Sequence, residues 1–253
     1  MTALDFIKKC WRRIFPIVHY RLGKYIITLD AREAIQNAIS WGDFEPTETK
    51  WVKACLKPGD VFVDAGANVG YYSLIASQIV GEKGTVYAFE PSPCAYNSLE
   101  QTIRVNGIDN IVLSNYGLSD REETMNLLLR DSGLHSPSFH YNKNYTTFSL
   151  GKSVLTTLDK FARQNGIGII DLVKIDVEGS ELKVIKGMAE LLGEHRIKRI
   201  MIEYNGTWLQ MAGTSMEEID TIIKSHKFVV DSISKFDVMP EELPITNCLY
   251  RRT

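Results

Sequence analysis

Cysteine is scarce. Four occur in 253 residues, Cys10, Cys55, Cys94 and Cys248, and no two stand at C-x-x-C spacing. Neither a zinc nor a disulfide framework fits that pattern, so a reducing, cytoplasmic setting is expected. Long apolar runs are missing too, and none reaches the roughly 18 residues a helix needs to cross a bilayer. Charge of one sign is not in excess: 29 basic residues face 31 acidic ones, a net of −2. That gives no general attraction to nucleic acid, and none is expected as a partner. There are no repeats and no low-complexity segments. No His or Asp cluster has metal-ligand spacing. Asp176 with Glu178 is the nearest approach to a divalent-ion pair, and no metal is expected. What is present, 44% apolar and 24% charged residues, is the composition of an ordinary globule, and the length suits one large α/β domain with additions.

The most informative stretch runs Val61-Phe62-Val63-Asp64-Ala65-Gly66-Ala67-Asn68-Val69-Gly70, then Tyr71 to Ala76. It reads as a strand buried on both faces, a glycine turn and a helix. Gly66 and Gly70 keep side chains out of a turn that a ligand can approach, and Asn68 tolerates the positive φ such turns use. The free N–H groups of the helix point back at the turn. Further on, Val86-Tyr87-Ala88-Phe89 runs into Glu90. An acid ending the second strand of such a unit commonly holds ribose hydroxyls. The expectation is an open α/β sheet with a nucleoside-type cofactor.

The same pattern continues along the chain. Before the central strand, Tyr25–Leu29 suits an edge strand, Asp30–Trp41 a helix capped by Asp30, and Thr47–Leu56 a second helix. Residues 1–57 are expected to be a largely helical cap and residues 58–253 the main domain. After it come helix 69–80, strand 85–89, helix 93–106 stopped by Gly107, and strand 110–116. The alternation breaks at 121–152, read as a hairpin with a mobile loop where substrate contacts concentrate. Helix 155–165, strand 169–175, a helix from Asp176 to about Leu192, strand 197–203, helix 216–226 and a closing antiparallel pair at 228–230 and 248–250 follow. Residues 1–24 carry Lys8, Lys9, Arg12, Arg13, Arg21 and Lys24 against Asp5 alone, with apolar residues between. This reads as an amphipathic helix, packed on its own domain or resting peripherally on an anionic membrane surface.

Ligands of such sheets lie beyond the carboxyl ends of the strands. The predicted ends supply Asp64, Glu90, Asn115 to Asp120, Asp176, and Glu203 with Tyr204. Clustered carboxylates on one rim call for a cationic or hydroxyl-rich ligand.

The turn order D-x-G-x-N-x-G resembles the first motif of S-adenosylmethionine-dependent methyltransferases, with Asn68 at the middle glycine. Together with Phe89-Glu-Pro-Ser-Pro, Gly117-Leu-Ser-Asp, Leu172-Val-Lys-Ile-Asp-Val-Glu-Gly-Ser-Glu and Ile202-Glu-Tyr, it resembles the FkbM-type methyltransferases over roughly residues 42–205. Phe44-Glu-Pro and Lys57-Pro-Gly-Asp fit as well. The resemblance implies a class I, Rossmann-like fold: a seven-stranded, mostly parallel sheet with helices on both faces. It implies methyl transfer from S-adenosylmethionine to an oxygen of a glycan or small-molecule acceptor, a sugar or a polyketide hydroxyl. By that analogy Asp64, Gly66, Ala67, Asn68 and Gly70 hold the methionine end, Glu90 with Pro91 the ribose, and Leu118, Ser119 and Asp120 the adenine. Asp176 is implied near the methionyl amine and the transferring methyl.

A base beside a weakly nucleophilic hydroxyl adds roughly 10²- to 10⁴-fold. Candidates are Asp176, Glu178, Glu203 and His135, the last by its unperturbed pKa in the long loop. A nicotinamide dehydrogenase on a similar sheet lacks support because the third glycine is missing. A non-catalytic cofactor-binding module remains a competing reading.

Overall fold

The computed structural model describes residues 16–130, 147–236 and 243–253. His135 lies outside them, as do residues 1–15. The chain opens with an antiparallel hairpin, β1 (Ile17–Leu22) and β2 (Tyr25–Asp30), and two helices, α1 (Ala34–Trp41) and α2 (Pro46–Cys55). Then come β3 (Val61–Ala65), α3 (Tyr71–Val80), β4 (Thr85–Phe89), α4 (Pro93–Asn106), β5 (Ile111–Ser114), β6 (Tyr116–Leu118), β7 (Glu123–Arg130) and β8 (Thr147–Thr156). The chain closes with α5 (Leu158–Gln164), β9 (Leu172–Ile175), α6 (Glu181–Lys186), α7 (Ala189–Gly193), β10 (Arg199–Asn205), α8 (Gly206–Ala212), α9 (Met216–Ser225), β11 (Phe228–Phe236) and β12 (Ile245–Arg252).

Seven strands form one sheet in the order β11-β12-β10-β9-β3-β4-β5. From β10 to β5 the pairings are parallel, and β12 runs antiparallel to both its neighbours. Strand order reverses at β3, so the crevice opens at the carboxyl ends of β3 and β9. Side chains alternate between the two faces. Val63, Ala65, Val173, Ile175 and Ile202 pack on one side with α5 to α9. Phe62, Val86, Leu172 and Met201 pack on the other with α3, α4 and the N-terminal elements. Both faces are covered, as a parallel sheet requires.

Several elements depart from the sequence reading for local reasons. Residues 17–22 are strand, not helix, so the amphipathic helix expected across 1–24 does not extend through them. Asp30 ends β2 and is forked onto Arg32, and α1 begins only after Glu33. The strand expected at 110–116 divides at Asn115, whose amide donates to the Glu90 carbonyl at 2.8 Å; β6 then joins β7 and β8 in a separate three-stranded sheet. Leu155 and Thr156 finish β8, so α5 starts at Leu158 under a Thr157 cap. The helix expected from Asp176 starts at Glu181, because Glu178 (φ 49°) and Gly179 (φ 94°) are left-handed. It breaks at Gly187, where a Cβ would stand 1.9 Å from the Ser119 carbonyl. Helix α8 was not anticipated. No helix among the described residues is long and apolar enough to cross a membrane.

The N-terminal elements are fastened to the sheet at several points. Gln78 of α3 donates to the Leu22 carbonyl, and its own carbonyl accepts from the Lys24 amide. Asn106 exchanges two hydrogen bonds with the Ile26 backbone. Glu48 of α2 accepts from Ser234 and Asn247 across β11 and β12. These ties bring Phe44 and Glu45 over the strand ends.

Candidate active site

A cavity of about 510 Å³ lies at the carboxyl ends of β3, β4, β9 and β10, beneath the N-terminal elements. One end is formed by the turn Gly66–Val69, by Glu90 and Pro91, by Ala95 at the start of α4, and by Gly117 and Leu118. The other is formed by Ile35, Ile39, Phe44 and Glu45 from the cap, and by Glu203, Asn205, Thr207 and Trp208 of β10 and α8. Tyr72, Lys174, Asp176 and Glu178 also line it.

The turn is shaped by backbone demands. Gly66 (φ 84°) packs so closely on β9 that a Cβ would stand 1.9 Å from the Asp176 carbonyl oxygen. Gly66 and Ala67 donate to the Phe89 carbonyl, each at 3.0 Å. Asn68 is left-handed (φ 49°) and its amide donates to Glu90 Oε2 at 2.7 Å; the Ser92 amide donates to Oε1 at 2.8 Å. Burial pushes the Glu90 carboxyl up to about 7 despite those two donors. Each oxygen retains a second lone pair. A pair of vicinal hydroxyls matches those acceptors, which is the fit a ribose requires.

Asp64 does not line the cavity. It is buried beneath the turn, where Ser73 donates to Oδ2 at 2.6 Å while Oδ1 has no hydrogen-bond partner among the described atoms. Burial raises its pKa and the Lys174 charge opposes that rise. Gly70, Ser119 and Asp120 also stand off the cavity wall: Gly70 packs against Leu99, and Ser119 donates to Asp120. Gly66, Ala67, Asn68, Glu90, Pro91, Leu118, Asp176, Glu178 and Glu203 are brought together on the wall.

The centre holds an ionic cluster that was not anticipated. Lys174 Nζ lies 2.9 Å from Asp176 Oδ2 and 4.9 Å from the centroid of the Tyr72 ring. Burial acts to lower the pKa of this ammonium, but Asp176, Asp64 and Glu45 outweigh it and hold it above its ordinary value. The Tyr72 hydroxyl donates to Glu45 Oε2 at 2.5 Å. Burial lifts Glu45 to about 7, and it lifts Glu203 well above the usual range with help from Asp176, Glu45 and Glu178. Five acidic side chains, three of them held toward their protonated forms, and one ammonium therefore line the cavity among the described residues. Such a donor set suits a cationic nucleoside.

Residues 64–230 match the family description Methyltransferase FkbM domain, well over half of the chain. The chain belongs to the FkbM methyltransferase family. Among its relatives is the hexuronic acid methyltransferase AglP of Haloferax volcanii, 30% identical over 136 residues that cover 53% of this chain and 52% of the relative. This chain thus spans about half the length of that protein. Another is the 31-O-demethyl-FK506 methyltransferase FkbM of Streptomyces tacrolimicus, 25% identical across 69% of this chain and 75% of the relative. Among solved structures, Trm5b from Pyrococcus abyssi superposes with a TM-score of 0.53 at 13% identity, covering 93% of this chain and 56% of that one. An rRNA methylase from Streptococcus thermophilus gives 0.50 at 14% identity, covering 81% and 95%. These likenesses show the fold: that of class I S-adenosylmethionine-dependent methyltransferases. As an FkbM family member, this chain is an S-adenosylmethionine-dependent methyltransferase domain, and Glu90 with the Gly66–Asn68 turn suits that cofactor's ribose.

Glu45, Tyr72, Lys174, Asn205 and Trp208 carried no functional assignment in the sequence reading. Phe44-Glu-Pro and the Lys174-Ile-Asp run were visible as motifs. Their convergence depends on the cap closing over β9 and β10.

Proposed function

We propose that this chain methylates a hydroxyl oxygen, that of a sugar or glycan, with a polyketide or other small-molecule hydroxyl as the alternative acceptor. The observation that carries the proposal is the two-ended cavity. Its Glu90 end matches a nucleoside, and its cap end joins carboxylates to aromatic walls, the usual means of holding a hydroxylated ring. When bound, S-adenosylmethionine supplies a methyl group already activated on sulfur. Its transfer to the acceptor oxygen would exchange the C–S bond for a C–O bond and leave a thioether and a methyl ether.

The protein's part is placement and the fate of one proton. Gly66, Asn68 and Glu90 fix the nucleoside, and Lys174 orients the Asp176 carboxylate toward the middle of the cavity. Positioning of this kind reaches about 7–11 kcal/mol in favourable cases. The acceptor's proton passes to a wall carboxylate, with Asp176 the first candidate and Glu203 and Glu178 beside it, and then to water. The test is S-adenosylhomocysteine release from S-adenosylmethionine in the presence of a glycan pool. Release that depends on the pool supports the proposal. Tight cofactor binding with no release across glycan and small-hydroxyl pools supports the non-catalytic reading instead.

A further inference from the structure

We infer that the cap end of the cavity is an acceptor site for an uncharged, hydroxyl-bearing ring, and that it turns away acceptors carrying a carboxylate. This deepens the methyltransferase reading above and rests on it.

Two separate elements deliver acids to that end, Glu45 before α2 and Glu203 on β10, and Asp176 after β9 stands where it meets the nucleoside end. Glu45 is held there in a left-handed conformation (φ 43°, ψ 61°). A non-glycine residue keeps such a backbone only where its surroundings over-determine it, and such residues gather at functional sites. The only Lys or Arg lining the cavity among the described residues is Lys174. Its side chain is 7% exposed, hydrogen-bonded to Asp176 and covered by the Tyr72 ring. It is committed to neutralising its neighbours.

An entering carboxylate would therefore give up its hydration beside Asp176, in a partly dry site with no free cation to receive it. Burial and mutual repulsion already hold Glu45 and Glu203 above their ordinary values, and one more anion adds to the same repulsion. Hydroxyl groups do the reverse, because each donates a hydrogen bond that a carboxylate accepts. Trp208 and Phe44 supply apolar faces at the same end, suited to the C–H face of a ring.

The experiment uses paired methyl glycosides that differ only in the carboxylate: glucoside with glucuronide, galactoside with galacturonide, mannoside with mannuronide. S-adenosylhomocysteine release gives kcat/KM for each, and calorimetry measures cofactor binding in parallel. The expected result is at least a tenfold preference for the neutral member, narrowed at least threefold in Glu203→Gln. Equal or better turnover of the uronides overturns the inference, and so does a preference that Glu203→Gln leaves unchanged. Turnover of neither member by cofactor-bound protein also overturns it while the methyltransferase reading stands. Absence of cofactor binding removes that underlying reading.

Discussion

The two ends of the cavity are built in different ways. The nucleoside end comes mainly from one strand–turn–helix unit and the next strand, so neighbours in sequence are neighbours in space. The cap end draws Glu45, Tyr72, Lys174, Glu203 and Trp208 from five places along the chain. The first is shaped by backbone: Gly66 against β9, and Asn68 and Ser92 donating to Glu90. The second is shaped by side-chain charge that balances only after the cap, α3, β9 and β10 have come together. A contiguous turn can be kept while acceptors change, and an assembled end can be varied residue by residue. On the proposed function, cofactor affinity belongs to one end and acceptor choice to the other.

The largest expected effect removes the cation on which the assembled end depends. Lys174→Met leaves Asp176, Asp64 and Glu45 without their counter-charge and should destabilise the protein by about 3–5 kcal/mol, the usual result of breaking a buried pair from one side. Urea denaturation measures it, and a loss under about 1 kcal/mol would mean the cluster is not held by that charge.

The second effect is a pH dependence belonging to the nucleoside end. The Glu90 carboxyl is raised to about 7 in the folded protein from an ordinary 4.5. The folded state thus keeps its proton where the unfolded state has lost it. That contribution is full below about pH 4.5 and is lost as pH rises through about 7. Between pH 4 and pH 8 the cofactor-free Glu90→Gln variant should lose about 3 kcal/mol less stability than the wild type. Parallel curves would show that Glu90 is not held protonated.

The third concerns the junction of the two ends. Asp176→Asn should lower kcat by about 100-fold and cofactor affinity far less, measured by product release and calorimetry. Full activity would remove Asp176 from the reaction. The fourth returns to the nucleoside end: Glu90→Ala should weaken S-adenosylmethionine binding at least tenfold, about 1.4 kcal/mol. The smallest belongs to the cap. Phe44→Leu should raise acceptor KM about threefold, a contact-sized change, with cofactor affinity unmoved. If cofactor affinity shifts instead, the division between the ends is wrong.

The same contrast explains what could be read from sequence. Strand 61–65, strand 85–89 and helix 93–106 match their expected bounds because apolar runs, glycines and prolines mark them locally. The place of Glu90 on the cavity wall was legible because it directly follows a strand. The left-handed turn at Glu178 and Gly179, the break at Gly187 and the division at Asn115 were not, since each answers to a tertiary neighbour. Asp64 was legible as the strand's last polar residue, but its burial beneath the turn was not. The ionic cluster around Lys174 had no local signature: a lysine inside a strand reads as an exposed residue until the carboxylates around it are known.

The most direct measurement is a structure of the protein with S-adenosylhomocysteine bound. The account predicts ribose hydroxyls on Glu90 and the adenine toward Ala95 and Leu118, with the space between Phe44, Glu203 and Trp208 left open for an acceptor. A nucleoside lying in that cap space, or bound away from Glu90 altogether, would contradict it.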